Sequence, residues 1–301
     1  MSSLAVREAG PAAGTTPGTA RGPARRRRVA LLPTLTLLLG ALYCLLPVAW
    51  VIIASTKSGS ELFSTFTFWP GTGFAGNLSD LSAYRDGVYW QWMGNSALYA
   101  GLGALLSTCV SAVSGYALAV YRFRGRETLF NVLLAGVLMP PVILAVPQYL
   151  LLAKADLTDS YLSVLLPQIL SPYGVYLARI YAAAAVPADV VEAARMDGAG
   201  EWRIFTRVAL PMMVPGLVTV FLFQFVAVWN NFLLPYIMLS DDEKFPITLG
   251  LYTLLEQGAN TPALYTLVIT GAFLAVLPLV ALFLVVQRFW SLDLLSGAVK
   301  S

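Results

Sequence analysis

The residues that could do chemistry in this chain fall into two groups, and neither has the make-up of a catalytic site. The sequence contains no histidine, which removes imidazole acid–base catalysis, histidine-based triads and histidine-ligated zinc protease sites together. Its two cysteines, Cys44 and Cys109, lie in apolar sequence and read as small apolar side chains, not as a disulfide. No Gly-Lys dipeptide occurs, so there is no phosphate-cradling P-loop. No metal-spaced Cys/His cluster and no internal repeat is present either. What remains is recognition chemistry. One group is the polar stretch Glu192-Ala193-Ala194-Arg195-Met196-Asp197-Gly198-Ala199. The other is Gln224 with Trp229-Asn230-Asn231, amides and an indole set in apolar sequence. An amide in such surroundings needs a partner, so these side chains should face protein or a water-filled path.

The first group sits in a segment, 187–210, that reads as two short helices joined at Gly198. Pro187 and Asp189 suit a helix start, the proline for its fixed φ and the acid for the positive end of the dipole. Asp197-Gly198 reads as a break, because glycine accepts backbone angles that other residues resist. Trp202, Phe205 and Ala209 against Arg203 and Arg207 then form an amphipathic run leading to Leu210-Pro211, where apolar sequence resumes.

The elements that must position these groups are membrane helices. The chain is 58% apolar and 12% charged, whereas a soluble domain is about a quarter charged. Six charge-poor windows are each long enough for a span, which takes roughly 20 residues. We place the spans at about 29–55, 93–120, 129–152, 162–185, 211–239 and 263–287, giving an all-α, polytopic fold with six transmembrane helices. With both termini on one side, that side holds fifteen of the nineteen Lys and Arg residues; only Lys57, Arg85, Lys154 and Lys244 lie opposite. Both termini, and with them the 187–210 loop, are therefore expected in the cytoplasm. Arg179, inside the fourth region, is expected to snorkel from near a helix end.

Residues 1–28 read as a disordered, basic N-terminal segment. Arg25–Arg28 before the first apolar block reads as a topology signal; a secretory or twin-arginine signal is the alternative, and a nucleic-acid arm is disfavoured by that placement. The outside loop 57–91 carries Trp69 and Trp90, with Trp92 just beyond, all suited to interfacial anchoring, with solute stacking as the other reading. The second span opens at Asn95-Ser96 and carries Gly101, Gly103, Ser107, Ser111, Ser114 and Gly115, small residues that permit close helix approach. Pro140, Pro141 and Pro147 predict a kinked third span facing other protein, for gating or simply for packing; Pro167, Gln168 and Pro172 mark a broken fourth. Residues 291–301 are expected to be a cytoplasmic tail.

Glu192-Ala193-Ala194, three residues, Gly198, nine residues, then Val208-Ala209-Leu210-Pro211 resembles the EAA loop of ABC-importer permease subunits, with Val where the pattern has Ile. Asn95-Ser96, Tyr116-Ala-Leu-Ala119 with Arg122–Arg126, and Trp229-Asn-Asn-Phe-Leu-Leu-Pro235 resemble other family segments. The last is similar to the carbohydrate-uptake branch, which often has an acid where this chain has Asn231. The resemblance implies a permease subunit of an ATP-driven importer for a sugar or oligosaccharide, in the bacterial inner membrane. It implies no cofactor in this chain, with ATP and Mg bound by a partner ATPase dimer, and further partners in a second permease, an extracytoplasmic solute-binding protein and the lipid bilayer. The loop would be the coupling helix that docks into the ATPase. Glu192 and Asp197 would supply charge, Ala193 and Ala194 a narrow helix, and Gly198 the turn, with Ala199 completing the docking stretch. Gln224, Trp229, Asn230 and Asn231 would be translocation-path candidates, or packing residues. A polyol or glycerol phosphate importer is the nearest alternative. A secondary carrier is disfavoured by the near absence of charge within the spans.

Overall fold

The computed structural model describes residues 31–258 and 263–297. The expectations for residues 1–28 and for the tail beyond Gly297 lie outside the described residues. The chain is helical, and among the described residues no strand occurs. Helix α1 spans Leu31–Ser55 with Pro47 inside it. The backbone divides into two compact units between Leu46 and Pro47, and every later element belongs to the second. On the loop that follows come α2 (Gly59–Ser64) and α3 (Phe74–Ala83), then α4 (Val88–Val120), α5 (Arg126–Leu138), α6 (Pro141–Lys154), α7 (Tyr161–Ile169) and α8 (Pro172–Ala185). The polar loop holds α9 (Ala188–Met196) and α10 (Glu201–Ile204); α11 (Leu210–Trp229), α12 (Leu233–Met238), α13 (Ile247–Gly258) and α14 (Ala263–Gly297) complete the chain.

Four stretches are long and apolar enough to cross a membrane: Pro33–Ser55, Phe74–Val120, Glu201–Trp229 and Ala263–Phe289. Two bent pairs raise the number to six if each is one span. One is α5 with α6, bent by 103°; the other is Tyr161–Ala185 with α9, bent by 74°. The first bend has a local cause. Proline disfavours helical angles in the residue before it, and Met139 and Pro140 are both extended ahead of Pro141, which takes the N-terminal position where its missing N–H costs nothing. Pro172 opens α8 in the same way after the Leu170-Ser171 break.

Several element bounds differ from the sequence expectation for identifiable reasons. α4 is 33 residues long, about 50 Å at 1.5 Å per residue, so it overruns a hydrocarbon core of about 30 Å. The fifth window is two helices, because Asn230–Phe232 leaves the helical path and Asn231 Oδ1 accepts the N–H of Leu234 to start α12. α14 continues to Gly297, well into the expected tail. The segments expected outside contain α2, α3 and α13, short helices that loop composition did not announce.

α4, α8 and α11 pack against one another at the centre. Small residues at four-residue spacing make this possible. Gly103, Ser107, Ser111 and Gly115 line one face of α4, and Gly174, Ala178 and Ala182 line α8, all of them buried. Where lipid supplies no hydrophobic drive, such close backbone approach is what holds helices together. α14 is peripheral, with 11% of its most apolar window buried against 44% for the windows that contain α4 and α11.

The start of α4 pins the segment 241–247 through side chains that donate to backbone carbonyls. Trp92 Nε1 donates to Asp242 O at 2.8 Å, Asn95 Nδ2 to Glu243 O at 2.7 Å and Phe245 O at 3.0 Å, and Tyr99 OH to Lys244 O at 3.0 Å. Ser96 Oγ accepts the N–H of Ile247 at 2.7 Å. Trp92 is thus a buried clamp (1% exposed), not an interfacial anchor, while Trp69 and Trp90 are exposed.

Charge completes this clamp. Asp159 Oδ1 accepts the N–H groups of Ser240 and Asp241, both at 3.0 Å, and Lys244 Nζ lies 2.9 Å from Asp241 and 3.6 Å from Asp159. The two backbone donors hold the Asp159 carboxyl below its ordinary range, and Lys244 does the same for Asp241, which in turn raises the Lys244 ammonium. Depressed carboxylates stabilise the fold above the unfolded value of about 3.9 and lose that contribution as pH falls through the folded one. A raised ammonium contributes below about 10.4 and loses its contribution at higher pH. The clamp should therefore be at full strength between about pH 4 and 10 and should loosen in acid. Hydrogen exchange at the Ser240 and Asp241 amides, corrected for intrinsic rates, should lose protection below about pH 4 in wild type and be unprotected throughout in Asp159→Ala, which has no acceptor. Acid-insensitive protection would contradict the assignment. Partial exposure screens the charges, so the effect is local, not global.

Candidate functional site

The 187–210 segment is built around Gly198. α9 starts after Pro187, with Asp189 in its first turn, and ends at Asp197. Gly198 has φ +76°, the left-handed region. Its N–H donates to Arg195 O, and the N–H of Ala199 donates to Ala194 O, both at 3.0 Å. This pair of backward bonds is the Schellman arrangement that satisfies the last carbonyls of a helix. A Cβ at Gly198 would meet nothing within 4 Å. The glycine is required by backbone angle, not by space.

α10 is not a free second helix. It continues through a π-helical turn, Phe205–Ala209, straight into α11, and the N–H of Leu210 reaches back five residues to Phe205 O. Pro211 explains the wider turn, since its ring crowds the carbonyl four residues before it and it has no N–H to donate. The loop and the transmembrane helix are therefore one continuous helical stretch, Glu201–Trp229.

One face of the loop is fixed to the protein. Val191, Ile204, Phe205 and Ala209 are buried with Tyr116 of α4, Ala178 and Ala182 of α8 and Met213 of α11. Ala194 and Ala199 pack at the edge of this cluster. The turn is braced by Glu201, which receives Arg195 through two bonds at 2.7 and 3.2 Å and the hydroxyl of Tyr121 at 2.8 Å. Tyr121 caps the end of α4. The other face is exposed and unusually apolar for a solvated loop. Met196 is 84% and Trp202 69% exposed, beside exposed Glu192, Ala193, Asp197 and Gly198. The expected amphipathic run thus divides differently, with Phe205 and Ala209 inward and Trp202 outward. The structure brings together all six residues singled out in this stretch, four on the exposed face and two at its buried edge.

The second group does not come together. Gln224 is buried, and its Nε2 donates to Ser171 Oγ at 2.5 Å, tying α11 to the start of α8. Trp229 is 3% exposed and stacked on Phe225 at 5.6 Å, so it offers no free ring face in this arrangement. Asn230 is exposed, but its Nδ2 donates to Val226 O of its own helix. Asn231, half-buried at the α11–α12 break, borders a cavity. Sequence reasoning missed the Arg195–Glu201–Tyr121 brace, because Tyr121 is remote in the chain. It also gave Asn95-Ser96 no role, although two polar residues opening an apolar helix signal a docking of some kind. Arg179 does not snorkel freely. It lies 3.5 Å from Glu127 and over the Phe130 ring at 3.6 Å. Among the described residues no group of three or more His, Cys, Asp or Glu side chains comes together to hold a metal.

Known proteins bear on this arrangement. The chain is 35% identical over 263 residues to the arabinooligosaccharide transport system permease AraQ of Halalkalibacterium halodurans, covering 86% of this chain and 92% of that one. It is 31% identical to the lactose transport system permease LacG of Rhizobium radiobacter, covering 92% and 98%. A chain from the crystal structure of a bacterial ABC transporter involved in import of the polysaccharide alginate shares the fold, with a TM-score of 0.75 at 22% identity, covering 86% of this chain and 95% of that one. The family model described as binding-protein-dependent transport system inner membrane component matches residues 107–291, more than half of the chain. With that match across the central helices and the polar loop, the chain belongs to the family of binding-protein-dependent transport system inner membrane components.

Proposed function

We propose that this permease forms half of the translocation pathway of an ATP-driven importer for a sugar or oligosaccharide, beside a second permease, and that the 187–210 loop couples it to a separate ATPase dimer. The observation that carries this reading is the two-faced loop. One face is cemented to α4, α8 and α11, and the other presents Met196, Trp202, Ala193, Glu192 and Asp197 to a partner. An exposed indole and thioether ringed by charge is the composition of an interface centre with a polar rim. Because Glu201–Trp229 is continuous, a force on the exposed face moves α11 directly. Closure of the ATPase would pull the loop and shift the helices that border the solute path. ATP and Mg belong to that partner, and a solute-binding protein delivers cargo from outside.

In this reading the chain crosses the membrane six times. The positive-inside distribution of Lys and Arg supports a cytoplasmic location for both termini and the loop. Arabinooligosaccharide and lactose permeases among the relatives support the sugar assignment. The sn-glycerol-3-phosphate permease UgpE of Pectobacterium atrosepticum, 28% identical, supports a phosphorylated polyol as the second reading.

A pull-down from gently solubilised native membranes, with this chain as bait, tests the proposal. Wild type should bring down an ATPase and a second permease. Glu192→Ala, which removes a charge at the edge of the exposed face, should retain the permease and capture less ATPase by about tenfold or more, as expected for a lost charge-assisted contact of about 1.5–3 kcal/mol. Wild type that captures no ATPase from intact complexes would overturn the assignment. Mass spectrometry of solute released from the co-purified binding protein then separates sugar from glycerol phosphate.

A further inference from the structure

Three helix breaks meet at one place in the second unit. The α5–α6 break at Met139-Pro140, the α7–α8 break at Leu170-Ser171 and the α11–α12 break at Asn230–Phe232 all border a cavity of 340 Å³. That volume lies at the lower end of the range for small-molecule sites, about 300–1,000 Å³. Backbone that leaves the helix at membrane depth needs protein or water to satisfy it, and a cavity bordered by three such breaks gives water a place to do so.

Its polar lining is rich in unused hydrogen-bonding capacity. Among the described residues, Gln148 has no hydrogen-bond partner for either end of its amide. Gln168 donates through Nε2 to Val164 O within its own helix, leaving Oε1 unpaired. Asn231 accepts from Leu234 through Oδ1, leaving Nδ2 unpaired. Tyr173 adds a hydroxyl and a ring that is half of a stacked pair with Tyr176 at 6.5 Å. No charged side chain is among the described residues that line the cavity.

Resting on the importer reading above, we infer that this cavity is a contact site for a neutral, polyhydroxylated solute, with Gln148, Gln168 and Asn231 binding hydroxyls and Tyr173 flanking the ring. Paired donors and acceptors without charge match a sugar, whose hydroxyls each donate and accept. They do not match a phosphate or a uronate. An anion would bring its charge into a site with no cation, at a desolvation cost that neutral amides offset poorly. The specificity follows from the lining. Sugars satisfy the unpaired amides, whereas sn-glycerol 3-phosphate leaves its own charge unpaired.

The test uses the full chain in its native complex with Cys44→Ala and Cys109→Ala, in which Gln148→Cys and, separately, Asn231→Cys from the opposite wall are labelled with a membrane-impermeant charged maleimide. Ile143→Cys, on an exposed apolar face of α6, is the dry control. Both cavity thiols should label and the control should not. Arabinotriose or lactose should protect the cavity thiols, slowing labelling roughly tenfold at about ten times the half-protection concentration, as simple occupancy requires, and sn-glycerol 3-phosphate should not. Unlabelled cavity thiols at both positions would overturn the wet site. Labelling that no neutral sugar slows, or that glycerol phosphate slows more strongly, would overturn the solute assignment. ATPase capture measured on the same membranes reports on the importer reading independently, so the two can fail separately.

Discussion

Gly198→Val should cut solute uptake by about tenfold or more while leaving the amount of chain in the membrane unchanged. The turn holds Gly198 at φ +76°, where an L-residue costs roughly 1–2 kcal/mol and a β-branched one more. A tenfold change corresponds to about 1.4 kcal/mol, so this strain alone is enough. Its effect is local because the position opens onto empty space, and no core contact is lost. The two backward bonds, Gly198 N–H to Arg195 O and Ala199 N–H to Ala194 O, would give way first. With them goes the angle that sets Arg195 against Glu201 and aligns α9 with the exposed Trp202. A substitution series sharpens the test. Asn tolerates left-handed angles better than other non-glycine residues, so uptake and ATPase capture should fall in the order Gly, Asn, Ala, Val. A valine variant with wild-type uptake, or an asparagine variant as impaired as valine, would show that the backbone angle is not what matters at this turn.

The same loop shows what the sequence could and could not disclose. The helix start at Pro187, the stop at Asp197-Gly198 and the return to apolar sequence at Pro211 are local signals, each with its own steric cause, and the structure follows them. The continuity of α10 with α11 is hidden, because Leu210-Pro211 looks like the start of a helix when it is a widened turn within one. Similarly, Gln224 and Trp229 were visible as polar and aromatic intrusions in an apolar run, but their partners, Ser171 and Phe225, decide that they pack. Gln148 and Gln168 come from α6 and α7 and Asn231 from the break between α11 and α12, and only the folding of the breaks around Pro140, Pro141 and Pro172 puts them at one cavity. Element type was legible wherever one helix's own periodicity or proline set it. Assembly of the cavity was not, since it depends on which breaks face each other.

The core is held in part by the close α4–α8 contact, and Gly115 should be a sensitive position within it. A Cβ there would lie 2.6 Å from Ala178 Cβ and 2.6 Å from the backbone nitrogen of Arg179. The obstacle is the backbone of α8, which cannot rotate aside as a side chain would. Gly115→Ala must therefore push α4 and α8 apart along a face where Ser111, Gly174, Ala178 and Ala182 are all buried. Overpacking of this kind costs about 1–3 kcal/mol, and in a bilayer the gap cannot be closed by hydrophobic collapse. At roughly 2–4 °C per kcal/mol for a chain of this size, the detergent-solubilised protein should melt several degrees lower. Gly115→Leu should fail to accumulate. Gly101→Ala on the same helix meets nothing within 4 Å and should leave melting unchanged or raise it slightly, because alanine is the better helix former by about 0.5–1 kcal/mol. The opposite signs separate close packing from a general intolerance of α4 to substitution. They also bear on transport, because the loop cluster around Tyr116, Phe205 and Val191 hangs from this same α4–α8 contact. Gly115→Ala should therefore weaken ATPase capture in proportion to its loss of stability, whereas Gly198→Val weakens capture with melting preserved. If the two variants lost capture and stability in the same ratio, the exposed turn would have no docking role distinct from the fold.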